Sequence, residues 1–395
     1  MTRSDIPHIP PRCLIPACPD DEANMVDFQD DEELLSEIDM AWTRPQYSRS
    51  EVNNAGRLIL RGPSLMKNAE HIQEGWAEPM GKAIDIVNNF RLAHAFPLNT
   101  IQNALRNKAQ AIDDQCIIAQ RLKRFSAIHT KLRRFEHMRL WDVQDIGGCR
   151  AIMQTPSSVN QLADSFKTSR IRHELTHEDD YIQHPKEDGY RSRHLVYRYF
   201  SDRNQLFNAM KIEIQIRTSL QHAWATAPET VDTFTQQGLK LGMGYPDWKR
   251  FFQLMATEMA FHENAPPVPG TPTDKAGLLR ELAEYAERLQ VKARLDGFAT
   301  ALQHMENVLP KEPGYFLLSL DIAADMLTID GYAQNEFQRA SNDLKLREDE
   351  IRRKPGTDAV LVSVDSVSKL RRAYPNYFAD TESFIEELDE ALKSP

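Results

Sequence analysis

Lys211-Ile-Glu-Ile-Gln-Ile-Arg-Thr218 decides the fold class of this chain. Ile212, Ile214 and Ile216 alternate with Glu213, Gln215 and Arg217. Side chains on an extended strand point to opposite faces with a period of two, so the isoleucines share one face and three polar groups share the other. An amphipathic strand with a solvated face shows the same alternation, so its meaning rests on the neighbouring sequence.

Working outward, Gly148 to Met153 and His194 to Phe200 also read as short strands, with a helical pattern from Ser157 to Lys167. This predicts an α/β (α+β) fold: a mixed central sheet flanked by helices. Arg121 to Leu140 reads as a helix carrying seven Lys or Arg against one acid, Glu136. Ser48 to Ala109 is helical in pattern, with Ser50 as a cap, a break at Gly62-Pro63, and further helical runs at Ala83 to Leu92 and Leu98 to Ala109.

Pro266, Pro267, Pro269, Gly270 and Pro272 predict a linker. Beyond it come the helical Lys275 to Val308, a hairpin from Tyr315 to Asp321 and Asp325 to Asp330, a helix from Ala333 to Arg353 and a strand from Ala359 to Val364. The expected divisions are an acidic leader (1–45), a helical extension (46–112), a catalytic α/β domain (113–262), a linker (263–273) and a small carboxy-terminal α/β domain (274–395).

Charge and composition exclude several function classes. Hydrophobic residues make up 41% of the 395 and charged residues 27%, and no apolar run reaches the length that spans a bilayer. A formal charge of −10 argues against wrapping DNA, while leaving room for a local basic patch. Four scattered cysteines make no disulfide framework, and the first residues carry no secretory pattern, so a cytoplasmic location is expected.

Three segments could complete the strand's chemistry. Asp145-Ile-Gly-Gly-Cys-Arg150 sets a carboxylate and a guanidinium around two glycines, which let a backbone approach a ligand, although a glycine pair also serves as a plain turn. Asp179 to His194 is a polar loop with Tyr190, several cations and a histidine. Arg121 to Lys131 presents cations that suit a triphosphate, or else an ordinary solvated basic face.

These segments in this order, spanning about Gln115 to Gly238, resemble the synthetase domain of the RelA/SpoT family of alarmone synthetases. Pro185-Lys-Glu-Asp-Gly-Tyr-Arg-Ser-Arg-His194 and Glu213-Ile-Gln-Ile-Arg-Thr218 carry the likeness most strongly. The resemblance implies that ATP is held by Arg121, Lys123, Lys131 and Arg150, with help from Arg191. It implies that Asp145 holds Mg2+, with Glu213 as base and partial metal ligand. Tyr190 would stack on the guanine of GDP or GTP, and Lys186, His194, Gln215 and Arg217 would shape the acceptor and phosphate environment.

After Thr218 the family shows a helix with a Glu-His pair and later a Tyr-Lys, whereas this chain reads Trp224-Ala-Thr-Ala-Pro-Glu-Thr-Val-Asp-Thr-Phe234. Three function classes follow: an alarmone synthetase, a relative acting on tRNA ends or adenine nucleotides, and a binding-only protein. No His-Asp dipeptide occurs, so the family's hydrolase motif is not expected, and the extensions suit regulation or homo-oligomer formation. His173-Glu-Leu-Thr-His177 matches a helical zinc-protease pattern, but it lacks an obvious third ligand and is set aside.

Overall fold

The structure, a computed structural model, describes residues 42–61, 77–169, 171–235, 246–306, 313–351, 357–364 and 366–393. The acidic leader lies almost wholly outside the described residues. Three helices come first: α1 (Arg49–Arg61), α2 (Ala77–Ala93) and α3 (Ala95–Ile112). Then follow β1 (Ile117–Leu122), α4 (Phe125–Arg134), β2 (Gly147–Met153), α5 (Pro156–Lys167), β3 (Glu174–Asp180), β4 (Arg193–Arg198) and β5 (Lys211–Thr218). Next are α6 (Ser219–Thr235), α7 (Pro246–His262), α8 (Lys275–Leu289) and α9 (Val291–Ala301). The remaining elements are β6 (Gln303–Glu306), β7 (Pro313–Asp321), β8 (Met326–Ala333), α10 (Phe337–Ile351), β9 (Thr357–Val364), α11 (Val367–Ala373) and α12 (Glu382–Lys393).

Among the described residues all the strands belong to one mixed nine-stranded sheet in the order β3-β4-β5-β2-β1-β9-β7-β8-β6. β2 runs parallel to β5, and β6 to β8. The carboxy-terminal strands therefore extend the sheet of β1–β5, joined where Ala119, Gln120 and Arg121 face Val364, Ser363 and Val362 across an antiparallel ladder.

One face is apolar along its length. Ile118, Cys149, Ala151, Leu195, Ile212, Ile214, Ile216, Leu317 and Leu361 pack there under α3, α5 and α10. The other face changes character at β1. From β9 to β8 it is apolar, with Phe316, Leu318, Ile329, Val360 and Val362 packed against Leu370, Ala373, Tyr374 and Tyr377. From β4 to β1 it carries the polar residues read from the sequence.

Several expectations need correction. Arg121 to Leu140 is not one helix: Arg121 and Leu122 close a strand that opens on β-branched Ile117-Ile118, Lys123 follows it with its N–H donating to the Ile146 carbonyl, and only Phe125–Arg134 is α-helical. The α1 cap is Ser48, not Ser50. The Ser48 hydroxyl accepts from the Glu51 N–H at 3.3 Å while the Glu51 carboxylate accepts from the Ser48 N–H at 2.8 Å, a capping box.

His173 precedes a strand and His177 lies in it, so the two are separated by roughly 13 Å of extended chain and share no helix face. The proline-rich linker is packed: the Val268 N–H donates to the Thr257 hydroxyl, and Val268 is buried. Among the described residues no helix is long and apolar enough to cross a membrane.

Candidate active site

The polar face is assembled by strand register. Gly148 lies opposite Glu213 and Arg150 opposite Gln215 between β2 and β5, while His194 of β4 lies opposite Gln215. Arg121 of β1 lies opposite Gly148. Paired residues share a face, so Arg121, Arg150, His194, Glu213, Gln215 and Arg217 all stand on one side of the sheet. The isoleucines on the reverse side lock that register, because a one-residue slip would invert every side chain.

Asp145 sits just ahead of β2. Its two carboxylate oxygens accept from Lys123 at 2.6 Å and Lys131 at 2.9 Å. Burial opposes its charge, but the two lysines outweigh burial and hold the carboxyl well below the usual carboxylate range. Lys123 from the turn and Lys131 from α4 thus converge on one carboxylate, although the two lie on different elements.

Glu213 accepts from the Gln215 amide at 2.7 Å and meets His194 Nδ1 at 3.1 Å. His194 Nε2 lies 2.9 Å from the Tyr190 hydroxyl, so Tyr190, His194 and Glu213 form a chain. Burial works against the His194 cation, yet Tyr190 and Glu213 raise its pKa to about 9. Burial likewise works against the Glu213 carboxylate, and His194 still lowers it, while the charge of nearby Asp145 opposes ionisation. Asp145, just ahead of β2, and Glu213 on the sheet face lie near enough for their charges to repel, and together they form a hard oxygen donor set.

The loop before β4 carries Lys186 with its ammonium 4.1 Å above the Tyr181 ring and 5.0 Å above the Tyr190 ring. Tyr190 is only half-buried. Gly189, at φ +98°, turns the chain into Tyr190, and a Cβ there would lie 2.6 Å from the Ala256 Cβ.

Guanidiniums crowd the same face. Arg150 donates to the Gln215 side-chain oxygen Oε1 at 3.3 and 3.4 Å and to the Ala373 backbone carbonyl at 3.5 Å. Burial first, then the charge of Arg150, disfavours the Arg217 cation. An anion bound between them would relieve that repulsion. Arg217 donates to His222 Nδ1, and His222 Nε2 donates at 2.8 Å to the Arg372 carbonyl. Burial, reinforced by Arg217, keeps His222 neutral.

One expected member stands apart. The buried Arg191 guanidinium donates to the Ile182 carbonyl at 2.9 Å and to the Pro266 carbonyl, which ties the linker to the loop. Sequence reasoning missed Tyr181, whose place at the start of the polar loop was a usable signal. It also missed His222 and Tyr374, for which no local signal exists.

Residues 120–231 match the family model described as a region found in RelA/SpoT proteins. The GTP pyrophosphokinase YjbM of Bacillus subtilis (strain 168) is 31% identical over 118 residues, covering 29% of this chain and 55% of that protein. GTP pyrophosphokinase YwaC of the same organism is 33% identical over 119 residues, covering 27% and 52%. The chain thus spans about half the length of the curated relatives it matches. Among solved structures, small alarmone synthetase 1 of Bacillus subtilis bound to pppGpp aligns at 22% identity and a TM-score of 0.37, covering 42% of this chain and 88% of that one.

Proposed function

Starting from its RelA/SpoT region, we propose that the chain transfers the β,γ-pyrophosphate of ATP to the ribose 3′-hydroxyl of GDP or GTP, releasing AMP. The observation that supports this reading is the juxtaposition of Asp145, just ahead of β2, and Tyr190, just ahead of β4, with Glu213, His194 and three arginines of one sheet face.

Each residue has a task in such a transfer. Tyr181, Lys186 and Tyr190 offer the acceptor base an aromatic and cationic surface. Glu213 takes the proton from the ribose hydroxyl as that oxygen attacks the β-phosphorus, and the protonated His194 holds the carboxylate in place. Arg121, Arg150 and Arg217 offset charge on the phosphates. Lys123 and Lys131 orient Asp145.

Magnesium fits this donor set, because it is commonly held by one or two carboxylates with the remaining positions filled by phosphates and water. Asp145 and Glu213 would hold it, and no larger ligand cluster of His, Cys, Asp and Glu is present among the described residues. When bound it supplies charge neutralisation at the phosphates.

A second acceptor, the tRNA 3′ end, is favoured by exposed arginines at the end of α4 and just beyond it. Arg133, Arg134 and Arg139 are exposed there, and the 45%-exposed Phe135 lies under the Arg134 guanidinium at 5.5 Å. Both readings are tested by incubating the full chain with Mg2+ and ATP labelled in the γ-phosphate, alone or with GDP, GTP or tRNA. Label on a guanine nucleotide with equimolar AMP supports the first reading. Label on tRNA that falls steeply with salt supports the second, and no transfer to any acceptor overturns both.

A further inference from the structure

Three consecutive residues of the carboxy-terminal part, Arg372, Ala373 and Tyr374, touch three separate pieces of the site face. The Arg372 carbonyl accepts from His222 Nε2 at 2.8 Å, and His222 Nδ1 in turn accepts from Arg217. The Ala373 carbonyl accepts from Arg150 at 3.5 Å. The Tyr374 hydroxyl donates at 2.8 Å to the Gln120 carbonyl, the peptide group that leads into Arg121. Arg121, Arg150 and Arg217 are therefore each met by this tripeptide directly, through one imidazole, or through the peptide bond that leads into them.

Rigidity follows from burial. Leu370 and Ala373 are fully buried, and Tyr374 and Tyr377 nearly so, in the apolar cluster that covers β9, β7 and β8. A segment held this way is a fixed wall rather than a lid. The carbonyls at the end of α11 also carry the negative end of the helix dipole, which suits guanidinium partners.

We infer that Arg372–Tyr374 is a positioning element for the donor side of the site, with Tyr374 as the positioning residue that sets Arg121. This deepens the proposed function and rests on its assignment of the arginines to ATP phosphate. In this chain the donor site is built from both halves of the sheet: cations from β1, β2 and β5, and their aim from the carboxy-terminal end of α11.

The test compares Mg·ATP binding by the full chain, the Tyr374→Phe variant and a matched control, Tyr332→Phe. Tyr332, on β8 two strands beyond β9 and apart from Arg121, Arg150 and Arg217, is also buried, and its hydroxyl donates to Asp343 at 2.9 Å. Calorimetry on all three, with melting temperatures and GDP affinity measured alongside, separates positioning from general stability. Loss of one such hydrogen bond should raise the ATP dissociation constant of Tyr374→Phe roughly three- to tenfold, leaving its GDP affinity and the ATP affinity of Tyr332→Phe unchanged. Equal ATP affinity in parent and Tyr374→Phe, or equal weakening in both variants, overturns the inference while sparing the proposed function. A parent chain that binds no ATP removes the donor-site reading and this inference together.

Discussion

Glu213 and Tyr190 hold opposite nitrogens of one imidazole, and the charge on His194 decides how the carboxylate behaves. Replacing Glu213 with Gln keeps the shape and removes the proton acceptor. Turnover in the labelled-ATP assay should then fall by about 100-fold or more, with melting temperature little changed. His194 titrates at about 9 rather than 6.5, so its contribution to stability is complete below pH 6.5 and fades as pH rises through 9. Tyr190→Phe deletes the leading upward influence. The imidazole should then titrate at a lower pH, measurable by NMR of the labelled histidine, and the alkaline fall in activity should begin earlier. At this scale the sequence was readable wherever a period of two fixed the facing, as for Glu213, Gln215 and Arg217. His222 and Tyr374 were not readable, because their roles depend on partners 150 and 254 residues away in sequence.

Among the elements, the loop carrying Tyr190 depends on one backbone conformation. Gly189 combines a positive φ with close approach to Ala256 and Trp224, so Gly189→Ala should destabilise the chain by about 1–3 kcal/mol in chemical denaturation. On the proposed function, it should also weaken acceptor binding more than ATP binding, since the displaced Tyr190 ring is the one proposed to meet the acceptor base. The α1 cap offers a local counterpart: Ser48→Ala should cost about 1 kcal/mol with no change in nucleotide affinity. The strands β2 and β5 and helix α5 were legible as periodic runs. The β1–α4 boundary was not, because Arg121 to Lys131 carries cations throughout, and the change from strand to helix is imposed by pairing with β2 rather than by composition.

Across the whole molecule, the carboxy-terminal part cannot be lifted away from the sheet. β9 lies between β1 and β7, and α10 is tied back to the amino-terminal helices by the Arg91–Glu348 pair at 2.6 Å. A chain ended after Pro266 would leave β1 as an unpaired edge and uncover Ile117, Ala119 and Ile152. We expect it to aggregate and to show no cooperative melting transition, in contrast to the full chain under the same conditions. The mixed α/β class followed from short patterned segments. The merging of all the strands into one sheet did not, since a pairing between residues 119–121 and 362–364 leaves no local trace in either stretch.

That pairing also has a consequence in time. A ribosome making this chain releases β1 long before β9, and at about 5–20 residues per second the gap between them is roughly ten to fifty seconds. Throughout that interval the nascent polypeptide holds its arginine-bearing strand without the neighbour that completes it, so the newborn chain waits for late synthesis before the proposed donor face is complete.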